Sequence, residues 1–140
     1  MRYKFLEHTA DIKFQAFGSS LEEAFSNSAL AMKEAMCKEK IKARIRKKIK
    51  VKGKDNGSLL YNFLEELLFL LDTENFIISR VEKIKINKND IDAEIIGDNA
   101  KNYEFDLDVK AVTYNSMFVK KLNQGSATPI KWVVQVVLDV

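Results

Sequence analysis

The chain has 140 residues, of which 46% are hydrophobic, and a formal net charge of +3. This size and composition suit one domain around one core. The most apolar stretch, residues 59–71, is shorter than the roughly 20 residues that cross a bilayer, and the charged N-terminal segment lacks the apolar core of a signal peptide. The single cysteine, Cys37, excludes an internal disulfide and is typical of a reducing compartment. These features predict a single-domain cytoplasmic protein with no membrane partner.

The first third of the chain predicts two strands and a helix. Residues 3–7 and 12–17 show strand-like alternation and are separated by a predicted turn at residues 8–11. Ser20 and Glu23 have the spacing of a capping box, which predicts that a helix begins there. One stripe of this helix is apolar and comprises Leu21, Phe25, Ala29, Met32 and Met36.

Residues 40–54 alternate between apolar and basic side chains, which predicts a half-buried strand with a cationic outer face. Lys47 is a charge on the apolar side and suggests a bulge or kink. The cationic face has two interpretations: a surface that binds phosphates of RNA or an acidic protein, or a lysine-guarded strand that prevents edge-to-edge aggregation. No aromatic residue alternates with these cations, so the pattern does not support base stacking.

The second half of the chain begins with a turn at residues 55–58, where Asp55 or Ser58 is the predicted N-cap of an apolar helix. A loop is expected at residues 123–129. Four further strands are predicted at residues 76–87, 91–97, 103–119 and 131–140. The last strand is nearly continuously apolar, as in the centre of a sheet. The order β-β-α-β-α-β-β-β-β predicts an α+β domain of two layers, with a mixed or antiparallel sheet and two helices on one face.

The C-terminal strand ends unusually, because Asp139 and the terminal carboxylate of Val140 follow a buried apolar run. If this strand pairs antiparallel with residues 12–17, its end lies beside Asp11. Oxygen ligands of this kind suit a hard cation such as Ca²⁺ or Mg²⁺ better than zinc, with water or a partner completing the shell. The alternative is structural: Asp11 caps a turn and Asp139 is a solvated chain end.

Two further residues are candidates for a function. Lys110 shares the outward side of its predicted strand with Asp106 and Asp108, so it either forms an ordinary ion pair or neutralises a phosphate or carboxylate. His8 is the only histidine and is either a turn residue or a catalyst. Neither the P-loop nor the G-x-G-x-x-G pattern occurs, so the chain has no sequence motif for binding a nucleotide by itself.

Four segments together resemble the archease family. They are EHTADIKFQAFG at residues 7–18, DNGSLLYNFLEELLFLLDTENF at residues 55–76, VKAVTYNSM at residues 109–117 and WVVQVVLDV at residues 132–140. They occur in the family's order and span most of the chain. Asn115 stands where members of the family often have histidine, so a role of that histidine does not transfer to this chain.

The resemblance implies an accessory protein of an RtcB-type RNA ligase rather than an enzyme. Such a protein promotes guanylylation of the ligase, so that the ligase turns over many times in tRNA splicing. Contact with tRNA or guanine nucleotide is expected indirectly, through the ligase, and direct contact with RNA stays open. The resemblance also implies a divalent metal ion, calcium first and Mg²⁺ or Mn²⁺ as alternatives. Its ligands would be Asp11, Asp139 and Val140, with Lys110 as a further functional residue.

Two other functions remain open from the sequence. A metal-dependent phosphoesterase would use the carboxylates and Lys110, and would hydrolyse substrate without a partner; ligands for a second metal are missing. An RNA-binding or chaperone-like module would use the cationic segment 40–54, and its RNA affinity would fall steeply with salt.

Overall fold

The structure is a computed structural model and describes residues 1–7, 11–122 and 128–140. His8, most of the predicted turn at residues 8–11 and most of the predicted loop at residues 123–129 lie outside the described residues. The elements, in chain order, are β1 (Tyr3–Leu6), β2 (Ile12–Gly18), α1 (Leu21–Met36), β3 (Ile45–Lys52), α2 (Asn56–Glu74), β4 (Phe76–Asn87), β5 (Asp90–Asn99), a short 3₁₀ helix (Ala100–Asn102), β6 (Ala111–Lys121) and β7 (Trp132–Asp139). This order of strands and α-helices is the predicted one.

Both helices begin at the predicted caps. The Ser20 hydroxyl accepts a hydrogen bond from the Glu23 amide at 3.1 Å, and the Glu23 carboxylate accepts one from the Ser19 amide at 2.9 Å. At the start of α2, the Asp55 carboxylate accepts a hydrogen bond from the Ser58 amide at 2.8 Å, and the Ser58 hydroxyl accepts one from the Asp55 amide. These bonds satisfy amides that the first helical turn leaves without partners.

The strands form a four-stranded sheet in the order β1-β2-β7-β6 and a three-stranded sheet in the order β3-β5-β4. All neighbouring strands are antiparallel. The α+β class is therefore confirmed. β7 lies between β2 and β6, which confirms the central position that its apolar sequence predicted. The division of the strands between two sheets is not visible in the sequence pattern.

The two helices contact strands of both sheets and join them into one hydrophobic cluster. α1 packs against β2 and β4, and α2 packs against β6 and β4. The rings of Phe25 in α1 and Phe63 in α2 stack with their centroids 6.0 Å apart, and both side chains are fully buried. Burying each side chain of this kind contributes about 1.5–3 kcal/mol. No helix in the described part of the chain is long and apolar enough to cross a membrane.

Two predicted strands are wrong at their N-terminal ends. The predicted strand 40–54 begins only at Ile45, and the predicted strand 103–119 begins only at Ala111. Backbone amides at residues 38 and 42 bond to side chains of the segment 103–110 instead: the Lys42 amide donates to the Tyr103 hydroxyl at 2.9 Å, and the Lys38 amide donates to the Asp106 carboxylate at 2.9 Å. Side-chain acceptors thus take backbone donors that a strand would use in its ladder.

The bulge suggested at Lys47 is not in β3, whose register with β5 is continuous. The register shifts occur in β4 instead. Lys47 is accommodated by an ion pair with the Glu74 carboxylate and by the Phe76 ring, whose centroid lies 5.4 Å from the ammonium nitrogen. A long side chain with two such partners keeps its charge on a partly buried face without a change in register.

Candidate functional site

The register of β2 and β7 brings Asp11 beside Asp139. Ile12 is the Cα partner of Leu138 in this antiparallel pair. Asp11 precedes Ile12 and Asp139 follows Leu138, so the two aspartates are neighbours across the two strands. Because Leu138 is fully buried in the core and side chains alternate along a strand, the Asp139 side chain points to the face away from the helices. The predicted pairing of the last strand with residues 12–17 is confirmed.

Lys110 approaches the same place from the other side of β7. Ala111 in β6 is the Cα partner of Asp139, and the Lys110 amide donates a hydrogen bond to the Asp139 carbonyl at 2.8 Å. Lys110 therefore lies next to Val140. Three adjacent strands thus bring together four residues from three separate parts of the chain. We call them the carboxylate site: Asp11, Lys110, Asp139 and Val140.

The side chains of the carboxylate site form no hydrogen bond or ion pair with any other described residue. The ordinary ion pair considered for Lys110 with Asp106 or Asp108 is therefore absent from the described residues; residues 103–110 are not a strand, and Asp106 binds the Lys38 amide. No group of three His, Cys, Asp or Glu side chains that could hold a metal occurs among the described residues.

The donors at the carboxylate site fit a hard divalent cation. Asp11 and Asp139 supply carboxylate oxygens, and Val140 supplies oxygens of the main chain. Ca²⁺ takes six to eight oxygen ligands, and Mg²⁺ takes six with several of them water. Three protein residues leave coordination positions for water or for a partner's oxygen. Zinc, which prefers His and Cys in closed tetrahedral sites, does not fit this donor set.

Glu65 is a structural support of the site that the sequence did not reveal. Its carboxylate accepts a hydrogen bond from the Val112 amide at 2.7 Å. Val112 belongs to the edge strand β6, two residues from Lys110, and its side chain is buried in the core. The contact ties α2 to the strand that begins directly after Lys110, and it satisfies an amide with no strand neighbour on that side. The only signal in the sequence is a glutamate within an apolar helix.

β6 contains a bulge at residues 114–117, further along the strand from the pair of Ala111 and Asp139. Ser116 has a left-handed backbone, with φ of 56°. The side-chain amide nitrogen of Gln135 donates a hydrogen bond to the Ser116 carbonyl at 2.8 Å. The side-chain oxygen of Gln135 accepts a hydrogen bond from the side-chain amide of Gln15 at 2.9 Å. These bonds hold the bulge over the face of the sheet to which Asp139 points. Asn115 lies in this bulge and is exposed.

Tyr114 connects the bulge to α2. Its ring stacks on that of Tyr61, with centroids 4.2 Å apart and planes 6° from parallel. Burial raises the pKa of Tyr114, and the neighbouring Tyr61 and Asp55 raise it further, so the phenol is neutral at ordinary pH. The Tyr114 side chain nevertheless remains 57% exposed. The stack and the Glu65 contact together hold β6 against one side of α2.

The fold and the carboxylate site define a small α+β protein with an acidic centre at the end of a sheet. Residues 3–140 match the family model described as the archease protein family (MTH1598/TM1083). The chain belongs to the archease family, which confirms the resemblance found in the sequence.

Named relatives agree with this assignment. The chain is 39% identical to protein archease of Pyrobaculum islandicum, over 99% of this chain and 95% of that protein, and 37% identical to protein archease of Methanosarcina barkeri, over 99% and 96%. The solution structure of Methanobacterium thermoautotrophicum protein 1598 superposes with a TM-score of 0.77 and 31% identity, covering 99% of this chain and 98% of that one.

A more distant structure supports the fold alone. The crystal structure of an archease from Thermotoga maritima, described as a possible chaperone, superposes with a TM-score of 0.66 and 20% identity. It covers 100% of this chain and 98% of that one.

Proposed function

We propose that this protein is an activator of an RtcB-type RNA ligase and acts through the carboxylate site with a bound divalent cation. The observation that carries the proposal is the convergence of Asp11, Lys110, Asp139 and Val140 at one sheet end, where the described residues give their side chains no partner. Family membership supports an accessory protein. The ligase, the metal and the cytoplasmic location belong to the proposal.

The carboxylate site has charges of both signs at one end of the four-stranded sheet. Asp11 and Asp139 would hold the cation, with Val140 adding main-chain oxygens. The cation would supply positive charge to phosphate oxygens or to carboxylates of the ligase. Lys110, directly before the neighbouring strand β6, would provide a second positive charge for a phosphate oxygen. The Glu65 contact and the bond from the Lys110 amide to the Asp139 carbonyl hold the backbone at Lys110 beside the C-terminal residues before a partner arrives.

Metal binding is tested without the ligase. Wild-type protein should show a saturable thermal shift with Ca²⁺, because a ligand that binds only the folded state raises the midpoint of unfolding. Asp11→Asn and Asp139→Asn should abolish most of the shift. Asp108→Asn is the matched control: it removes an exposed carboxylate close in sequence to Lys110 and should keep the wild-type response. An unchanged thermal shift in Asp139→Asn would mean that the carboxylate site does not bind the cation as proposed.

Activation is tested in an RNA ligation assay with limiting ligase and GTP. We expect Asp139→Ala and Lys110→Met to lower the number of turnovers about 10- to 100-fold, toward the level of ligase alone, as is typical when groups that support a metal site are removed. Asp108→Ala should retain activation. If Asp139→Ala supports as many turnovers as the wild type, the proposed function is wrong.

A short extension after Val140 tests the role of the last residue separately. If oxygens of Val140 bind the cation, or if this end of the sheet enters the ligase, a few added residues should reduce activation while leaving the melting temperature unchanged. An extension of the same length before Met1 is the control. Full activation by the C-terminally extended protein would exclude Val140 from the site.

A further inference from the structure

A second charged surface lies on the three-stranded sheet, on the face away from the helices. Residues that are Cα partners form rows that run from β3 across the middle strand β5 to β4. One row is Lys48, Glu94 and Lys83, and the next is Lys50, Asp92 and Lys85. We call this surface the basic face. Its seven exposed cations are Arg46, Lys48, Lys50, Lys52, Arg80, Lys83 and Lys85.

The basic face contains more positive than negative charge. Its carboxylates are Asp90, Asp92 and Glu94 on β5 and Glu82 in the irregular part of β4. Seven cations against four carboxylates leave an excess equal to the formal net charge of the chain, which is +3. The remainder of the chain is therefore close to neutral, and the positive charge of the protein is concentrated on one sheet face.

The carboxylates of β5 leave some of the cations without an ion pair. Glu94 pairs with Arg46 at 3.4 Å and with Lys83 at 3.9 Å, and Asp92 pairs with Lys50 at 3.7 Å. Three other cations of the basic face take part in no ion pair within the described part of the chain. These unpaired cations are Lys48, Lys52 and Lys85.

The chemistry of the basic face indicates the kind of partner that it fits. A shallow groove of about 540 Å³ crosses it, lined by lysines of β3 and β4 and by Asp92 and Glu94. Protein interfaces depend on buried aromatic or aliphatic anchors, and none of the exposed large hydrophobic residues belongs to the outward rows of this sheet. Repeated cations without an anchor instead fit a polyanion, whose binding releases counterions.

We infer that the basic face binds the phosphate backbone of RNA without sequence preference. No aromatic residue on the face is available to stack on bases, so contacts are to phosphates. The unpaired cations make these contacts, and the ion pairs along β5 hold the other lysines in their rows. The inference does not require the proposed function, since RNA binding by this face needs neither the ligase nor the carboxylate site.

The segment that the sequence suggested for RNA binding is thereby redefined. Lys42 and Arg44 precede β3 and lie outside the rows of the basic face. The Lys42 amide bonds to Tyr103, and the Arg44 guanidinium lies 3.9 Å from the Asp98 carboxylate. Substituting Arg44 would remove a contact of the buried Asp98 carboxylate as well as a charge, whereas the bond from Lys42 is made by the backbone and would remain. In their place, the basic face includes Lys83 and Lys85 of β4, a strand that the sequence did not connect with β3.

The test measures binding of the purified protein to a fluorescently labelled single-stranded RNA at several salt concentrations. The variant combines Lys48→Gln, Lys52→Gln and Lys85→Gln, which leaves every ion pair of the face intact. A control with equal charge combines Lys4→Gln, Lys38→Gln and Lys101→Gln, three exposed lysines elsewhere. Circular dichroism melting confirms that both variants are folded.

We expect the basic-face variant to bind at least about tenfold more weakly at low salt. Because each phosphate contact in a single strand contributes about 0.7 to the slope of log K against log salt, the slope should become shallower by about 2. The control should behave as the wild type. Equal affinities of wild type and the basic-face variant would overturn the inference. So would equally tight, equally salt-dependent binding of poly-glutamate, which would assign the face to acidic proteins.

Discussion

Asp98 and Asp139 are both aspartates near the C-terminal end of an inner strand of a sheet, and their carboxylates have different surroundings. The Asp98 carboxylate, on β5, accepts hydrogen bonds from the Tyr103 hydroxyl at 2.7 Å and from the Asn99 amide at 2.8 Å, and lies 3.9 Å from Arg44. The Asp139 carboxylate, on β7, has no such partner among the described residues. Asp98 is therefore bonded by other side chains and backbone groups of the protein, whereas the Asp139 carboxylate is bonded by none of those described.

The difference separates a structural carboxylate from one that is available to an external cation. The Tyr103 hydroxyl is the main cause that holds the pKa of Asp98 below its usual value, although burial acts in the opposite direction. Asp98 is almost completely buried, and a buried carboxylate is tolerated only when its oxygens are bonded. Asp139 is partly exposed and beside Asp11, where a cation would offset the repulsion between neighbouring carboxylates.

The largest effect is expected for Glu65, a carboxylate in contact with the same sheet as Asp139 but used structurally. Glu65→Leu leaves the buried Val112 amide without an acceptor and should lower the free energy of unfolding by about 1–3 kcal/mol. Glu65→Gln retains an acceptor oxygen and should cost less than about 0.5 kcal/mol. Urea unfolding measures both variants. If Glu65→Leu is as stable as Glu65→Gln, the contact does not stabilise the edge strand.

A smaller effect is expected at the Asp98 cluster. Tyr103→Phe removes the hydroxyl that donates to the Asp98 carboxylate and accepts from the Lys42 amide, and should lower the free energy of unfolding by about 1–2 kcal/mol. Asp139→Asn should change it by less than about 0.5 kcal/mol in the absence of metal. Thermal or urea unfolding in EDTA compares the two variants. Equal destabilisation would mean that the two aspartates do not differ in role.

The smallest effect is a change in pH dependence. The pKa of Asp98 is lowered in the folded state, so its contribution to stability is present above the ordinary value of 3.8 and is lost as the pH falls through the lowered folded value. In Tyr103→Phe the folded pKa returns toward its ordinary value. The decrease in unfolding free energy between about pH 7 and about pH 2.5 should therefore be smaller than in the wild type. An identical decrease would show that the Tyr103 hydroxyl does not stabilise the ionised Asp98.

The sequence predicted most of the fold, because its signals are local. The predicted strands at residues 40–54 and 91–97 correspond to β3 and β5, and the caps at Ser20 and Asp55 gave both helix starts. The errors occurred where alternation continued into segments with other hydrogen-bond partners. Residues 40–44 and 103–110 alternate like strands. Backbone amides at Lys42 and Lys38, however, donate hydrogen bonds to the side chains of Tyr103 and Asp106 rather than to a neighbouring strand.

The candidate site was predictable in part. The antiparallel pairing that places Asp11 beside Asp139 was a hypothesis from the sequence, and the register of β2 and β7 confirms the pairing. Lys110 came from the family resemblance, since its spacing alone indicated only an ion pair. Glu65 was missed because its partner, the Val112 amide, is distant in sequence and belongs to the backbone. The metal and the ligase remain predictions that the experiments above address.

By itself, the sequence determined the class of fold, the order of the elements and the family, since periodicity, capping and short motifs are encoded over a few residues. Only the tertiary structure decided how the strands divide between two sheets and which charges share a surface. Antiparallel register brings together residues more than a hundred positions apart at the carboxylate site. It also joins β3, β4 and β5 into the basic face. Such contacts depend on the pairing of whole strands, which is decided by the packing of both sheets on the two helices.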